Sequence, residues 1–215
     1  MSFFFLKVNF SDEAAFDVSQ PRSQYVRRGR GSQILTSHTS QHRPFLNRIM
    51  VWSSFSFKGT GRMSVIQGTM NATKYKATLE DFLLPQIEEW FGEESPVFQQ
   101  DNAPCHKAAM ITNFLNSNEI EILPWPPYSP DLSPIENLWA IVKNKVHSIT
   151  TTSSQQLTAR LNEIWCNDAD VKKACESLIE GMPRRVEACI KAKGGPIKYL
   201  KFFFLITINY SFVFH

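Results

Sequence analysis

The stretch that decides the fold runs from Pro96 to Lys145: PVFQQDNAPCHKAAMITNFLNSNEIEILPWPPYSPDLSPIENLWAIVKNK. Val97 to Gln100 is short and partly apolar, and Asn102-Ala103-Pro104 follows at once. It reads as a buried strand ending at Asp101, with Pro104 in the first turn of a helix. Ile120 to Leu123, bounded by Asn118 and Pro124, predicts the next strand. The segment Pro124 to Pro134 holds five prolines, too many for a helix or an interior strand. Ser133-Pro134-Ile135-Glu136 then opens an amphipathic helix whose apolar positions are Ile135, Leu138, Trp139, Ile141, Val142 and Val146. One carboxylate, Asp101, therefore stands at a strand's carboxyl end, and another, Glu136, in the first turn of a helix. A strand, helix, strand, helix order carries such ends to one rim of a parallel sheet.

Both acids also have a purely structural reading. Glu136 stands three residues after Ser133, the spacing of a capping box, where a Glu simply satisfies the Ser133 amide. Asp101 has the chemistry of a side-chain cap for a helix that starts near Pro104. Spacing alone does not separate the two readings.

The wording around the acids does. DNAPCH (Asp101 to His106) and SPDLSPIENLW (Ser129 to Trp139) resemble the second and third signature blocks of the DDE transposases of the Tc/mariner superfamily. The 34 residues between Asp101 and Glu136 match the nematode-element branch rather than the mariner branch. The family's first block is an apolar strand followed by Ser-Asp-Glu, and this chain has VNFSDEAAF at Val8 to Phe16. The resemblance thus nominates Asp12 as a third carboxylate; nothing else separates it from Glu13 and Asp17 nearby. RIMVWSSFS (Arg48 to Ser56), GTMNATKY (Gly68 to Tyr75) and MPRRVEACIKAKGG (Met182 to Gly195) also resemble the family, in the expected order. The similarity runs from Val8 to Tyr199.

The resemblance implies an α/β, RNase H-like catalytic domain over residues 1–199, with a central mixed five-stranded sheet flanked by helices. It implies cleavage of double-stranded DNA at transposon ends and strand transfer into target DNA, in the nucleus, with a homodimer as a candidate assembly. Three convergent carboxylates repel unless cations neutralise them, and oxygen-only ligands select Mg²⁺, with Mn²⁺ as substitute. On this reading two ions are held by Asp12, Asp101 and Glu136, Asp101 bridging both. His106 is a candidate proton shuttle or phosphate contact, or a structural histidine packed beside Cys105. Asn102 is a candidate for orienting Asp101. Trp125, in the Pro-rich segment, is a candidate for stacking on a base or for core packing. The family also carries paired helix-turn-helix domains before its first carboxylate. Only eleven residues precede Asp12 here, so an alternative is a truncated, inactive nucleic-acid-binding remnant. A two-carboxylate glycoside hydrolase has only the acids in its favour.

Charge distribution fits a polyanionic partner. From Val18 to Leu79 there are ten Lys or Arg and no Asp or Glu, an asymmetry hidden by the net charge of +3. Arg43, Arg48, Lys58 and Arg62 are the candidate phosphate contacts; an ordinary solvated face is the alternative. Arg22 to Asn47 predicts a long loop with a short strand near Tyr25 to Arg27.

The remaining elements follow from local pattern. Met1 to Phe10 predicts the first strand, with Asp12 just past its end and Asn9 out of keeping with a central strand buried on both faces. Ile49 to Phe57 and Met63 to Gln67 predict adjacent strands joined at Lys58-Gly59-Thr60-Gly61, a turn rather than a nucleotide-binding loop. Ser53 stands where the resembled family usually has Gly, so its side chain is expected to crowd a close backbone approach. Asn71 caps a helix that Pro85 interrupts. Ser153 to Gln156 is a second capping box, and Val171 to Ile179 and Pro183 to Ala192 predict two more helices. The four cysteines follow no metal-ligand spacing and read as reduced thiols of an intracellular protein. The opening residues lack a basic n-region and a cleavage signature, so they are not read as a signal peptide. Residues 200–215 include FFFLITINYSFVF (Phe202 to Phe214), which is too short to span a bilayer and falls outside the expected domain.

Overall fold

The computed structural model describes residues 2–18, 48–92, 94, 96–195 and 197. Arg43, the strand expected near Tyr25 to Arg27 and the apolar tail after Tyr199 all lie outside these residues. A four-residue helix α1 (Ser2–Phe5) precedes strand β1 (Val8–Asp17). Strands β2 (Arg48–Ser56), β3 (Gly59–Thr60) and β4 (Ser64–Ile66) follow. Helix α2 (Ala72–Thr78) runs through a π-helical turn (Leu79–Leu83) into α3 (Leu84–Phe91). Then come β5 (Val97–Gln99), α4 (Ala109–Ser117), β6 (Glu121–Ile122) and α5 (Pro134–His147). Helices α6 (Ser154–Asn167), α7 (Ala169–Glu180) and α8 (Met182–Lys191) close the domain. No described helix is long and apolar enough to cross a membrane.

The sheet order is β3-β2-β1-β5-β6, with β4 also pairing β2. β1 is antiparallel to β2 and parallel to β5, and β5 is parallel to β6. The sheet is thus mixed as expected, but it has six strands rather than five. β3 pairs with Phe55 and Ser56 while β4 pairs with Met50 to Trp52, so the two share one position and the third strand is broken in two. The break falls at Gly61, whose amide donates to the Ser54 carbonyl at 2.7 Å. A Cβ on Gly61 would lie 2.8 Å from Ser54 Oγ and 2.9 Å from Ser54 O, so only glycine lets the backbones approach. Ser53 does not crowd this contact: its hydroxyl donates to the Arg62 carbonyl at 3.0 Å and holds the break in place.

Strand alternation gives the sheet two apolar faces. Val8, Phe10, Ala14 and Phe16 pack against Leu138, Trp139 and Val142 of α5, Leu161 and Trp165 of α6, and Leu178 of α7. Trp52 and Phe98 face the other way, against Tyr75, Leu79, Leu83 and Ile111. Helices therefore cover both sides of the sheet. β1 lies at its centre and still carries Asn9, fully buried and in register with Phe98. Asn9 emerges on the same face as Ser11, so the interior there tolerates polar groups that the apolar pattern alone would forbid.

Four boundaries differ from those expected. Residues 2–5 are helical because β5 begins only at Val97, after a proline, and offers no ladder upstream of Val8. Asp12 lies inside β1, not past its end, because β2 pairs with β1 as far as Asp17. Pro104 sits in a turn, with His106 N and Lys107 N donating to Ala103 O, and the helix waits until Ala109. Pro85 does not interrupt its helix. The preceding turn widens, so that Leu84 N donates to Leu79 O, and Pro85 enters where a missing N–H costs little.

Candidate active site

Asp12 is placed by the mismatch between its neighbours. β5 pairs only with Val8 to Phe10, whereas β2 continues past Asp12, which is in register with Ser53. Beyond Phe10 the β5 side of the strand is therefore uncovered, at the carboxyl end of a parallel pair, where α/β folds open their crevices. A cavity of about 490 Å³ lies there, lined by Asp12, Gln99, Asp101, Lys107, Trp125 and Glu136 among others. Three expected carboxylates from three separate elements thus share one cavity. Alternation explains the choice of Asp12 over Glu13, because Asp12 shares the face of Phe10 and Ala14 and Glu13 points to the opposite one.

The structural reading of Glu136 fails. Ser133 caps nothing with its side chain, and its amide donates to Pro130 O at 3.1 Å instead of to Glu136. The carboxylate is left free for the cavity. The first turn of α5 is fixed from the far side by Arg185 of α8, which is buried. Its guanidinium donates to Asp131 O at 3.1 Å, Ser133 O at 3.2 Å and Asn137 Oδ1 at 2.7 Å. Asp101 keeps part of its structural role, since Oδ1 accepts from Ala103 N at 2.8 Å.

His106 does more than pack beside Cys105. Its Nδ1 lies 2.6 Å from Asp101 Oδ1 and its Nε2 3.2 Å from Glu13 Oε1, and its ring sits 4.0 Å from that of Tyr75. Burial alone would depress its pKa, but the bonds to Asp101 and Glu13 and their charges prevail and lift it to about 10. The imidazolium therefore bridges two carboxylates, one on each side. It holds Asp101 below the usual carboxylate range.

The three cavity carboxylates differ in acidity. Burial first, then the charges of Glu136, Glu13 and Asp101, push Asp12 up to about 8. Burial also raises Glu136, against Lys143. Among the described residues no three His, Cys, Asp or Glu side chains are already drawn together tightly enough to grip a metal ion. Bare carboxylates in a half-buried cavity repel, and Asp101 is turned onto His106. As a donor set they fit a hard divalent cation, since all are oxygen ligands with one held protonated for want of positive charge.

The other site candidates scatter. Asn102 Nδ2 donates to Trp125 O at 2.8 Å, so it ties the end of β5 to the Pro-rich segment. The half-buried Trp125 packs edge-on against Phe10, with centroids 6.1 Å apart. Arg48 pairs with Asp17 at 2.9 Å. Lys58 and Arg62 line a separate cavity with Cys166 and Glu176, and Arg62 reaches Glu89 at 3.5 Å. The described cysteines are all free thiols. Sequence reading missed the bridging role of His106, the brace from Arg185, Lys107 at the cavity wall, and Tyr128. The last is fully exposed at the cavity rim, with a φ of 53° that non-glycine residues seldom adopt.

Known proteins resemble this chain in sequence and in fold. Residues 7–158 match the family described as DDE superfamily endonuclease. The chain is 34% identical over 194 residues to the Transposable element Tcb1 transposase of Caenorhabditis briggsae, covering 88% of this chain and 69% of that protein. It is 30% identical over 194 residues to the Transposable element Tc1 transposase of Caenorhabditis elegans, with the same coverages of 88% and 69%. The catalytic domain of Mos1 mariner transposase superposes with a TM-score of 0.71 at 21% identity, over 91% of this chain and 86% of that one. In the Mos1 paired-end complex with the left transposon end the TM-score is 0.77 at 22% identity, and this chain spans 57% of the Mos1 chain. These likenesses establish the RNase H-like fold of the transposase catalytic domain, and the chain belongs to the DDE superfamily endonucleases.

Proposed function

We propose that the chain is the catalytic domain of a cut-and-paste transposase, which hydrolyses DNA at transposon ends and transfers the freed 3′-hydroxyl onto target DNA. The observation that carries this reading is the single cavity shared by Asp12, Asp101 and Glu136, with their acidities spread apart. The resemblance gives each of the family's three carboxylates a counterpart here, and the three share one cavity, which favours an enzyme over an inactive remnant.

Asp12, Asp101 and Glu136 would hold two Mg²⁺ ions, with Mn²⁺ as substitute; Mos1 complexes with each metal support this. When bound, such ions lower the pKa of the attacking oxygen and stabilise the leaving one. The chain's own residues do the rest. His106 fixes the Asp101 carboxylate from behind and keeps it ionised. Arg185 fixes the turn that presents Glu136. Lys107 supplies positive charge at the cavity wall for a DNA phosphate. Basic residues of the acid-free stretch, Arg43, Arg48, Lys58 and Arg62 among them, would contact the duplex backbone without reading its bases. Pairing of two transposon ends, of the kind named for the Mos1 paired-end complexes, would be served by a homodimer, and such a substrate would be met in the nucleus.

The test is direct. The purified chain nicks supercoiled DNA when Mg²⁺ or Mn²⁺ is added, and Asp101→Asn abolishes the nicking. Nicking that persists in the variant overturns the assignment.

A further inference from the structure

The Pro-rich segment between β6 and α5 forms one wall of the carboxylate cavity, to which it contributes Trp125, Pro126, Pro127, Tyr128 and Ser129. Both ends of this segment are fastened. The ring of Trp125 packs against Phe10, and its carbonyl accepts from Asn102 Nδ2 at 2.8 Å. On the other side Leu132 N donates to Ser129 O at 3.2 Å and Ser133 N to Pro130 O at 3.1 Å. Between them Pro126, Pro127 and Pro130 fix φ, and Ser129 Oγ donates to Pro127 O at 3.0 Å. Tyr128 stands within this braced turn and is fully exposed, so its ring packs on nothing. Its φ of 53° is one that a bulky residue adopts only at a cost. Glu119 and Lys193 share such a φ, but each follows the C-cap of a helix, α4 and α8, where that conformation is ordinary. Tyr128 ends no helix. Of the described large apolar side chains that are exposed, it is the one that lines this cavity. Core packing and helix termination therefore leave both its exposure and its backbone unexplained.

We infer that Tyr128 is a base-stacking residue, whose ring takes the face of an unpaired base on the nucleotide next to the phosphate held at Asp12, Asp101 and Glu136. In an intact duplex the neighbouring bases cover both faces of each base. A cut end, or a base splayed out of the helix, presents one. An aromatic ring stacks on any of the four bases, because each has a π-face, so the contact holds a strand end without reading its sequence. The brace contributes, since a ring presented on a rigid turn loses little freedom when it binds. Trp125, the aromatic that the sequence offered for stacking, is half-buried against Phe10, and the role passes to Tyr128. The inference rests on the nuclease reading above and adds a contact to the base where the carboxylates act on the phosphate.

Tyr128→Asn removes the ring and suits the positive φ, whereas Tyr128→Trp keeps an aromatic face. Each full chain is titrated by fluorescence anisotropy, in Ca²⁺ as a hard cation in place of Mg²⁺, with two labelled single strands. One is an oligothymidylate; the other is an abasic strand of the same length and charge. The melting temperature of Tyr128→Asn is expected to equal or exceed the parent's, because the exposed ring packs on nothing and asparagine tolerates the backbone. On the oligothymidylate this variant raises Kd by at least about 5-fold, the lower end for loss of a base stacked on an aromatic ring. On the abasic strand its Kd stays within about 2-fold of the parent's, because the ring has no base to meet there. Tyr128→Trp binds both strands as the parent does. A loss that is equal on the two strands, or absent from both, overturns the assignment of Tyr128 and leaves the nuclease reading intact. A parent chain that binds neither strand and nicks no DNA with Mg²⁺ or Mn²⁺ overturns both.

Discussion

His106 Nδ1 and Asp101 Oδ1 lie 2.6 Å apart, and the far nitrogen of the same ring reaches Glu13 Oε1 at 3.2 Å. One imidazolium thereby joins the end of β5 to the middle of β1, on the face of the sheet opposite Asp12. It compensates a second acid, Glu13, whose carboxylate has no place in the cavity. It also leaves Asp101 ionised while its neighbour Asp12 is protonated.

Removing that cation leaves the largely buried Glu13 carboxylate unpaired and Tyr75 without its stacked ring. His106→Ala is expected to cost about 3 kcal/mol of stability, the magnitude typical of breaking one side of a buried ion pair. Urea denaturation measures it. The double variant His106→Ala/Glu13→Gln is expected to recover part of the loss, because no buried charge remains to be compensated.

Asp12→Asn keeps the shape of the side chain and deletes the charge that burial and Glu136 oppose. In chelator the variant is expected to melt at or above the parent, because a carboxylate crowded by like charges contributes no stability. Adding millimolar Mn²⁺ raises the parent's melting temperature by binding to the folded state, and leaves the variant nearly unmoved. Differential scanning fluorimetry with and without metal shows both effects.

Arg185 acts at a distance from the phosphate chemistry. Its acceptors include Asp131 O, Ser133 O and Asn137 Oδ1, on either side of Glu136. Arg185→Lys keeps the charge but cannot reproduce a planar fork with several donors. A stability loss of about 2 kcal/mol is expected. Nicking falls with it at a temperature where the variant is still folded, as measured by circular dichroism alongside plasmid cleavage.

Asp168 caps α7 through the amides of Asp170 and Val171 and accepts from Lys145 at 2.9 Å. Burial acts to raise its pKa, but the Lys145 bond and the two amides outweigh it, and the group sits below its ordinary value. A depressed acid stabilises the fold above its unfolded pKa and loses that contribution as pH falls through the folded one. Asp168→Asn keeps the cap, since Asn accepts from the same amides, and is therefore expected to cost about 0.5 kcal/mol near pH 7, the range of a surface ion pair. The difference from the parent closes as pH drops below the ordinary Asp range of about 4, read from urea titrations at a series of pH values.

Much of this was legible before the fold. The strand ending near Asp101, the helix opening at Pro134 and the Asn71 and Ser153 caps follow from local pattern, and the structure places them within a residue or two. Asp12 was reachable only through the family's wording, because the decisive fact is non-local: β5 stops pairing at Phe10 while β2 continues. His106 was a candidate, but its bridge between two carboxylates was missed for the same reason, as was Arg185. A histidine after a proline turn and an arginine in a basic helix show no partners in the local sequence, because other segments supply the carboxylates and carbonyls around them. One local signal was available for Arg185, which stands three residues after the buried Met182 and so shares its helix face. The six-strand count followed from Gly61, whose need for close approach to Ser54 no periodicity announces.

The break at Gly61 reaches further than the strand it divides. Its carbonyl accepts from Trp165 Nε1 at 2.8 Å, Trp165 stacks on Trp139 with centroids 4.5 Å apart, and Trp139 stands one turn along the helix that bears Glu136. A methyl group at position 61 would push on Ser54 and lift that carbonyl off the indole. Rigid parts in series would pass the displacement to the opposite rim of the sheet. A lone hydrogen at position 61 thereby bears on the alignment of one of the acids, from a position outside the carboxylate cavity.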